Sequence, residues 1–386
     1  MRIVVVGCGG VGGVLAAGLT KAGHDVTPVT ANPEISIALS KHGYRVRELD
    51  GTEWSVPTTR PPVHAFERRM HGSPFDLCIL ATKATTLTVA AESAGPHLCA
   101  TSAVLCCQNG LPEGIVAPIV GRERVLGCVV SFGATMEEPG SYVVTARGGL
   151  RLGRPFTESP DPAAWLGVLG AAVPTMVVPD LAAVRWSKLA LNCASSTLGL
   201  IGGVKLGSLL RRRFVRRLVL EIWTEVAAVA AATGHRMEPI GGTFDIGRMA
   251  LTPRERAWPL LSPSLAVKHA FLIGVGFKYR SMRSSMLVAL ERGRAPEIDA
   301  LNGEIVRRGA AAGVPTPVNE RLVATVHCIV AGAERPSTRL LREVSEGVSA
   351  TPRASTGPRS LPRPPGTPDL ERTERAGART QSLQSE

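Results

Sequence analysis

Aromatic side chains are scarce in this chain: they make up 4% of 386 residues, while hydrophobic residues make up 44%. Val, Leu and Ala must therefore do most of the core packing. Acidic residues are in deficit, 32 against 44 Lys and Arg, for a formal net charge of +12. Such a balance raises nucleic acid as a partner. The basic residues, however, are scattered rather than gathered into one stripe with aromatics, and no nucleic-acid partner is expected. The densest group, Arg211, Arg212, Arg213, Arg216 and Arg217, is explained as well by a solvated helix face or by attraction for anionic small ligands. None of the eight cysteines forms Cys-x-x-Cys or a Cys/His zinc spacing, and most lie in apolar runs. They read as reduced core residues of a cytoplasmic protein, with no metal site. No uncharged apolar run reaches the roughly 18 residues of a membrane span.

The chain opens on Arg2–Val6, a short β-branched run of the buried-strand type. The seven glycines between Gly7 and Gly23 argue against reading this start as a secretory signal. Gly7, Cys8, Gly9, Gly10, Val11 and Gly12 match Gly-x-Gly-x-x-Gly, and a helical pattern and a second strand, His24–Val29, follow. In that strand–loop–helix setting the motif binds a dinucleotide. Gly7 makes the tight turn, Gly9 admits the pyrophosphate, Gly12 lets helix and strand pack closely, and the helix N-terminus meets the phosphates.

Further strands are expected at Gly43–Leu49, Glu53–Val56, Asp76–Ala81 and Ala103–Cys107, then at Val125–Phe132, Ser141–Thr145 and Gly149–Gly153. Lys83 and Asn109 directly follow two of them. Ligands of open α/β sheets bind beyond the C-terminal strand ends, which makes both residues candidates. After residue 178 the pattern turns helical, over Leu181–Leu198, Leu209–Thr233, Ser264–Ile273, Ile298–Ala312 and Val318–Val330. In the first of these helices Lys188, Asn192 and Ser196 recur at four-residue steps beside an apolar surface formed by Trp186, Leu189, Ala190 and Cys193. An ammonium, an amide and a hydroxyl so aligned suit an oxygen-rich anion. Apolar neighbours also lower a lysine's pKa and make it a better proton donor. Spacing alone leaves open that Lys188 snorkels to solvent.

Taken together these motifs resemble the ketopantoate reductase family over roughly residues 1–333. The glycine loop, Thr82-Lys83, Gln108-Asn109-Gly110 and Trp186-Ser187-Lys188-Leu189-Ala190-Leu191-Asn192 carry the likeness. So do Ser284-Ser285-Met286-Leu287, Glu297-Ile298-Asp299-Ala300-Leu301-Asn302-Gly303 and Gly313-Val314-Pro315-Thr316-Pro317. The resemblance implies an α/β fold: an N-terminal Rossmann domain (1–178), an all-α domain (179–334), and the active site between them. It implies NADPH as cofactor and reduction of ketopantoate, a small 2-oxo acid, to pantoate. By motif, Lys188 is the general acid and Glu297 the catalytic-site glutamate that also lies by the cofactor. Asn109, Asn192, Ser196 and Ser285 bind substrate. Asn109 also serves the nicotinamide side, and Lys83 lies near the cofactor. A homodimer is the assembly left open.

Two positions depart from the family pattern. Ser196 stands where a second asparagine is usual, which keeps a different 2-oxo acid as an alternative; a dinucleotide sensor without turnover is a separate one, against which intact Lys188, Asn192, Ser285 and Glu297 count. Ala31 stands where an arginine usually meets the NADPH 2′-phosphate. Thr30, Asn32 and Lys41 are the neighbouring residues that offer hydrogen bonds or charge. From residue 335 the composition changes again. Thr351–Glu386 holds six prolines and only Leu361, Leu370 and Leu383 as large apolar residues. A disordered tail is expected over 335–386.

Overall fold

The structure is a computed structural model that describes residues 1–64, 74–239, 245–257 and 262–350. The chain starts with β1 (Arg2–Val6), α1 (Gly10–Lys21), β2 (Asp25–Thr30) and α2 (Pro33–His42). It continues through β3 (Tyr44–Arg47), β4 (Glu53–Val56), β5 (Val63–His64), β6 (Phe75–Leu80), α3 (Leu87–Ala94), β7 (Leu98–Cys106) and α4 (Glu113–Val120). Then come β8 (Val125–Val130), β9 (Gly133–Glu138), β10 (Ser141–Ala146), β11 (Leu150–Gly153), α5 (Leu166–Gly170) and β12 (Thr175–Val177). Eight strands form one sheet in the order β12-β11-β8-β7-β6-β1-β2-β5. Its pairs are parallel except β11 with β8. The β-branched and leucine runs of β1, β6 and β7 are buried on both faces, as parallel central strands must be.

The order of strands places the ligand site. From β1 the chain moves out to β2, then returns to β6 on the other side of β1. That reversal opens a crevice above the C-terminal ends of β1 and β6, beside the glycine loop. Helix α1 is buried from Gly12 to Thr20. It is apolar on all sides because a second sheet, β4-β3-β10-β9, covers the face turned away from the first. Tyr142 of β10 donates to the Cys8 carbonyl (3.2 Å), which ties that cover to the loop.

Helices follow: α6 (Leu181–Gly202), α7 (Leu206–Leu210), α8 (Arg213–Ala232), α9 (Ile246–Met249) and α10 (Pro253–Ala257). The last are α11 (Pro263–Lys278), α12 (Ser285–Glu291), α13 (Asn302–Ala312), α14 (Pro317–Val330) and α15 (Thr338–Ala350). Asp180 starts α6 by accepting from Ala183 N (2.9 Å). Val129 of β8 packs on Leu181 and Val184, so the first turn of α6 is anchored to the sheet. The helices share one core built around Trp186, Leu198, Leu220, Trp223 and Leu322.

Three expectations are corrected. The helix expected over Leu209–Thr233 is two helices. Arg216 folds back to donate to the Leu210 and Arg211 carbonyls (both 2.7 Å), satisfying the end of the first and separating it from the second. The helix expected from Ile298 starts at Asn302, and Glu297 precedes it in a turn closed by Gly303 N to Ile298 O (3.0 Å). The tail expected from residue 335 is helical over its first part. Ser337 accepts from Leu340 N (3.0 Å) and starts α15, whose Leu340, Leu341 and Val344 are buried in the helical core. Their i, i+1, i+4 spacing is an apolar stripe that a composition count does not register. Residues 351–386 lie outside the described residues.

Candidate active site

The glycine loop is shaped by contacts that exclude a side chain. Gly7 has φ of +100°, and a Cβ there would stand 2.7 Å from Thr82 N. Its own N–H is spent on the Val29 carbonyl (2.9 Å). At Gly12 a Cβ would lie 1.9 Å from the Gly7 carbonyl oxygen, so the helix packs on the turn with no room to spare. Gly9 is different: a Cβ there would meet nothing within 4 Å. It is the N-cap of α1, no side chain caps that end, and no acidic residue stands in the first turn. Open space in front of uncapped N–H groups fits a pyrophosphate. Gly10 sits against the Ala134 carbonyl, and Val11 packs on the core of the sheet. Cys8 faces inward. Its thiol donates to Val29 O (3.6 Å), and burial pushes its pKa up to about 12, so only its backbone faces the loop.

Next to the loop stand the ends of β6 and β7. Gln108 donates to the Leu80 and Thr82 carbonyls (3.0 and 3.1 Å) and staples the two strand ends together. Half-buried Asn109 follows, and Gly110 then passes so close to the Ala300 carbonyl that a Cβ would approach it to 2.6 Å. The turn that carries Asn109 thus abuts the segment that carries Glu297.

Helix α6 supplies the other wall. Lys188 is half-buried, and its ammonium donates to the Val130 carbonyl at the end of β8 (2.6 Å). Loss of hydration, and next the Arg185 guanidinium, bring its pKa down to about 8. Asn192 lies one turn on and is half-buried. One turn further, the Ser196 hydroxyl is 3.4 Å from that of Ser285. Ser284 fixes that pairing by donating to the Ser196 carbonyl (2.5 Å) and capping α12 through Leu287 N (3.2 Å). Glu297 reaches across from the helical half, accepts from Ala84 N (3.3 Å) and pairs with Lys83 Nζ at 3.7 Å. The structure therefore joins Glu297 to Lys83, while Lys188 takes a backbone carbonyl instead.

Sequence reasoning passed over Arg185, Gln108 and Ser284. Gln108 and Ser284 lie inside the motifs above and Arg185 directly precedes one, but a role as a buried donor to distant carbonyls leaves no periodic signal. Thr82 Oγ1 and Gln108 Oε1 are buried without partners among the described residues and lie at the same strand ends. No group of three or more His, Cys, Asp or Glu that could hold a metal occurs among the described residues.

A family model described as ketopantoate reductase PanE/ApbA matches residues 3–155, and its C-terminal counterpart matches residues 180–330. The 2-dehydropantoate 2-reductase of Mesorhizobium japonicum is 27% identical, over 84% of this chain and 97% of its own length. That of Caulobacter vibrioides is 28% identical, over 84% and 98%. A ketopantoate reductase structure from Ralstonia eutropha is 26% identical with a TM-score of 0.70, covering 86% of this chain and 99% of its own. A D-mandelate dehydrogenase in ternary complex with NADH and anilino(oxo)acetate has the same fold at 21% identity and a TM-score of 0.71, covering 86% and 99%.

Proposed function

The chain belongs to the ketopantoate reductase family, and on that premise we propose that it reduces 2-dehydropantoate to pantoate with NADPH, Lys188 acting as general acid. The observation that carries the reading is the half-buried Lys188, its ammonium on the Val130 carbonyl and its pKa near 8, on the same helix as Asn192 and as Ser196, whose hydroxyl pairs with that of Ser285. When bound, the dinucleotide supplies a hydride to the substrate's carbonyl carbon. The α1 N-terminus and Gly9 would hold its pyrophosphate, with Lys83 and Asn109 beside them. Lys188 holds its proton in a poorly hydrated wall and gives it up as negative charge gathers on the carbonyl oxygen. Such a transfer contributes typically 10²–10⁴-fold. Ser196, Ser285 and Asn192 offer hydroxyls and an amide to the substrate's hydroxyl and carboxylate. Glu297 draws the two walls together through Ala84 N and Lys83. The unpaired state of all eight cysteines supports a cytoplasmic setting.

A second reading, reduction of another 2-oxo acid, is favoured by Ser196 alone. A hydroxyl is shorter than an amide, and a site that loses one polar partner changes its preferred substrate. NADPH oxidation followed with 2-dehydropantoate and a panel of 2-oxo acids decides between them. Highest kcat/KM on 2-dehydropantoate supports the first reading, and a higher value on another acid replaces it. Tight dinucleotide binding with no turnover on any would leave a sensor.

A further inference from the structure

We propose that Arg185 is a positioning residue of this site: its guanidinium clamps the Asn109 turn onto α6 and supplies the charge against which Lys188 holds its proton. The inference rests on the reading of Lys188 as proton donor. Arg185 is 4% exposed and lies three residues before Lys188 on α6. Its Nη1 donates to the carbonyls of Gln108 (3.2 Å) and Gly110 (3.4 Å), and its Nη2 to that of Cys106 (3.2 Å). These are the last residue of β7 and the two that flank Asn109. The carboxylate of Glu113, in the first turn of α4 and itself buried, pairs with Nη2. One planar fork therefore gathers three carbonyls and a carboxylate from two elements of the sheet domain onto the helix that carries Lys188. A lysine could not reach them together, because its donors diverge from a single point.

The clamp also sets local charge. Lys188 is faced by Arg185 from its own helix, by Cys107 from the end of β7, by Cys128 from β8 and by Glu297 from the segment before α13. The Cys107 thiol is pushed well above its ordinary range by Cys128 and by burial. Near neutral pH it adds no charge. Arg185 is then the cation opposing the ammonium, and Glu297 the anion that favours it. Arg185 opposes more strongly. Glu113 makes the cation tolerable in the interior, since an unpaired guanidinium there would be costly.

The test uses two variants of the full chain. In Arg185→Gln with Glu113→Gln, both charges go and neither is orphaned. In Arg185→Lys the charge stays and the fork goes. The readout for Lys188 is the pH midpoint of its acetylation by trace acetic anhydride, followed by peptide mass spectrometry, which needs no substrate. The double variant should move that midpoint up by about one unit, and the alkaline limb of kcat/KM should move with it. Arg185→Lys should leave the midpoint in place and raise KM for the 2-oxo acid by about tenfold, because the Asn109 turn is released. A folded double variant with an unmoved midpoint overturns the inference. If that variant does not fold, a wild-type KM in Arg185→Lys overturns it equally. A shifted midpoint in a protein that reduces no 2-oxo acid would sink the reductase reading and leave the Arg185–Lys188 coupling standing.

Discussion

A single lysine carries opposite consequences for activity and for stability here. Lys188 has a folded pKa near 8, below the usual lysine value. In the proposed role of general acid Lys188 acts in its protonated form, so the rate should hold below pH 8 and fall tenfold per unit above it, as a kcat/KM profile would record. Lys188→Ala should lower kcat by about 10²–10⁴-fold and leave dinucleotide affinity unchanged. For folding, a depressed pKa means that protonated Lys188 is a burden below pH 8, lifted as pH rises toward the unfolded value. Lys188→Met should therefore melt higher at pH 7, by about 1–2 kcal/mol once the lost bond to Val130 is set against the relieved desolvation. Gly9 and Gly12 divide in a similar way. Gly9→Ala meets no protein atom, so it should keep wild-type melting and weaken dinucleotide binding at least tenfold, by calorimetry. Gly12→Ala meets the Gly7 carbonyl and should lose both.

Ala31 is exposed just after β2, where a 2′-phosphate would arrive. Thr30 Oγ1 is engaged by Asn32 N (3.2 Å), and Asn32 Oδ1 caps α2 through Glu34 N (2.8 Å). Lys41 stands in the last turn of α2, about 13 Å along the helix from that cap. The turn thus offers little positive charge. A modest NADPH preference is expected, and Ala31→Arg should lower KM for NADPH about ten- to hundredfold with little gain for NADH. Better use of NADH by the wild type would reverse the cofactor assignment.

Among the elements, α14 has a start that its own residues do not supply. Thr316 does not cap it, and Pro317 has no N–H. Glu225, from the middle of α8, accepts instead from Val318 N (2.8 Å), Asn319 N (3.0 Å) and Asn319 Nδ2 (2.7 Å). Asn319 in turn accepts from Asn302 Nδ2, and Asn302 accepts from Thr197 of α6 (2.6 Å). A buried polar chain thus runs from α8 through α14 and the head of α13 to the helix of the site. Burial raises the Glu225 pKa to about 7. A raised carboxylate contributes stability that is full below about 4.5 and is lost as pH climbs through 7. Melting temperature should decline over that window, and Glu225→Gln should flatten the decline. An unchanged slope in the variant would assign it to other groups.

At the scale of the whole molecule, two truncations separate the tail from the fold. Removing 351–386 should leave melting and turnover unchanged, since its composition provides almost nothing to bury. Removing 338–386 also takes Leu340, Leu341 and Val344 from the core beside α6. That should cost at least about 3 kcal/mol, visible as a large drop in melting temperature. Equal stability of both truncated forms would mean that α15 contributes no packing.

The sequence by itself determined whatever depends on near neighbours. The glycine loop between a strand and a helix, the strand ends bearing Lys83 and Asn109, and the shared face of Lys188, Asn192 and Ser196 are all set by periods of two and 3.6. Tertiary structure decided which partners those groups take. Lys188 finds a carbonyl 58 residues away, and Glu297 crosses 213 residues to Ala84. Arg185 collects carbonyls 75 to 79 residues distant. Backbone carbonyls are identical at every position, so a bond to one leaves no trace in residue identity. Only the folded geometry shows which of them converge on a guanidinium or an ammonium.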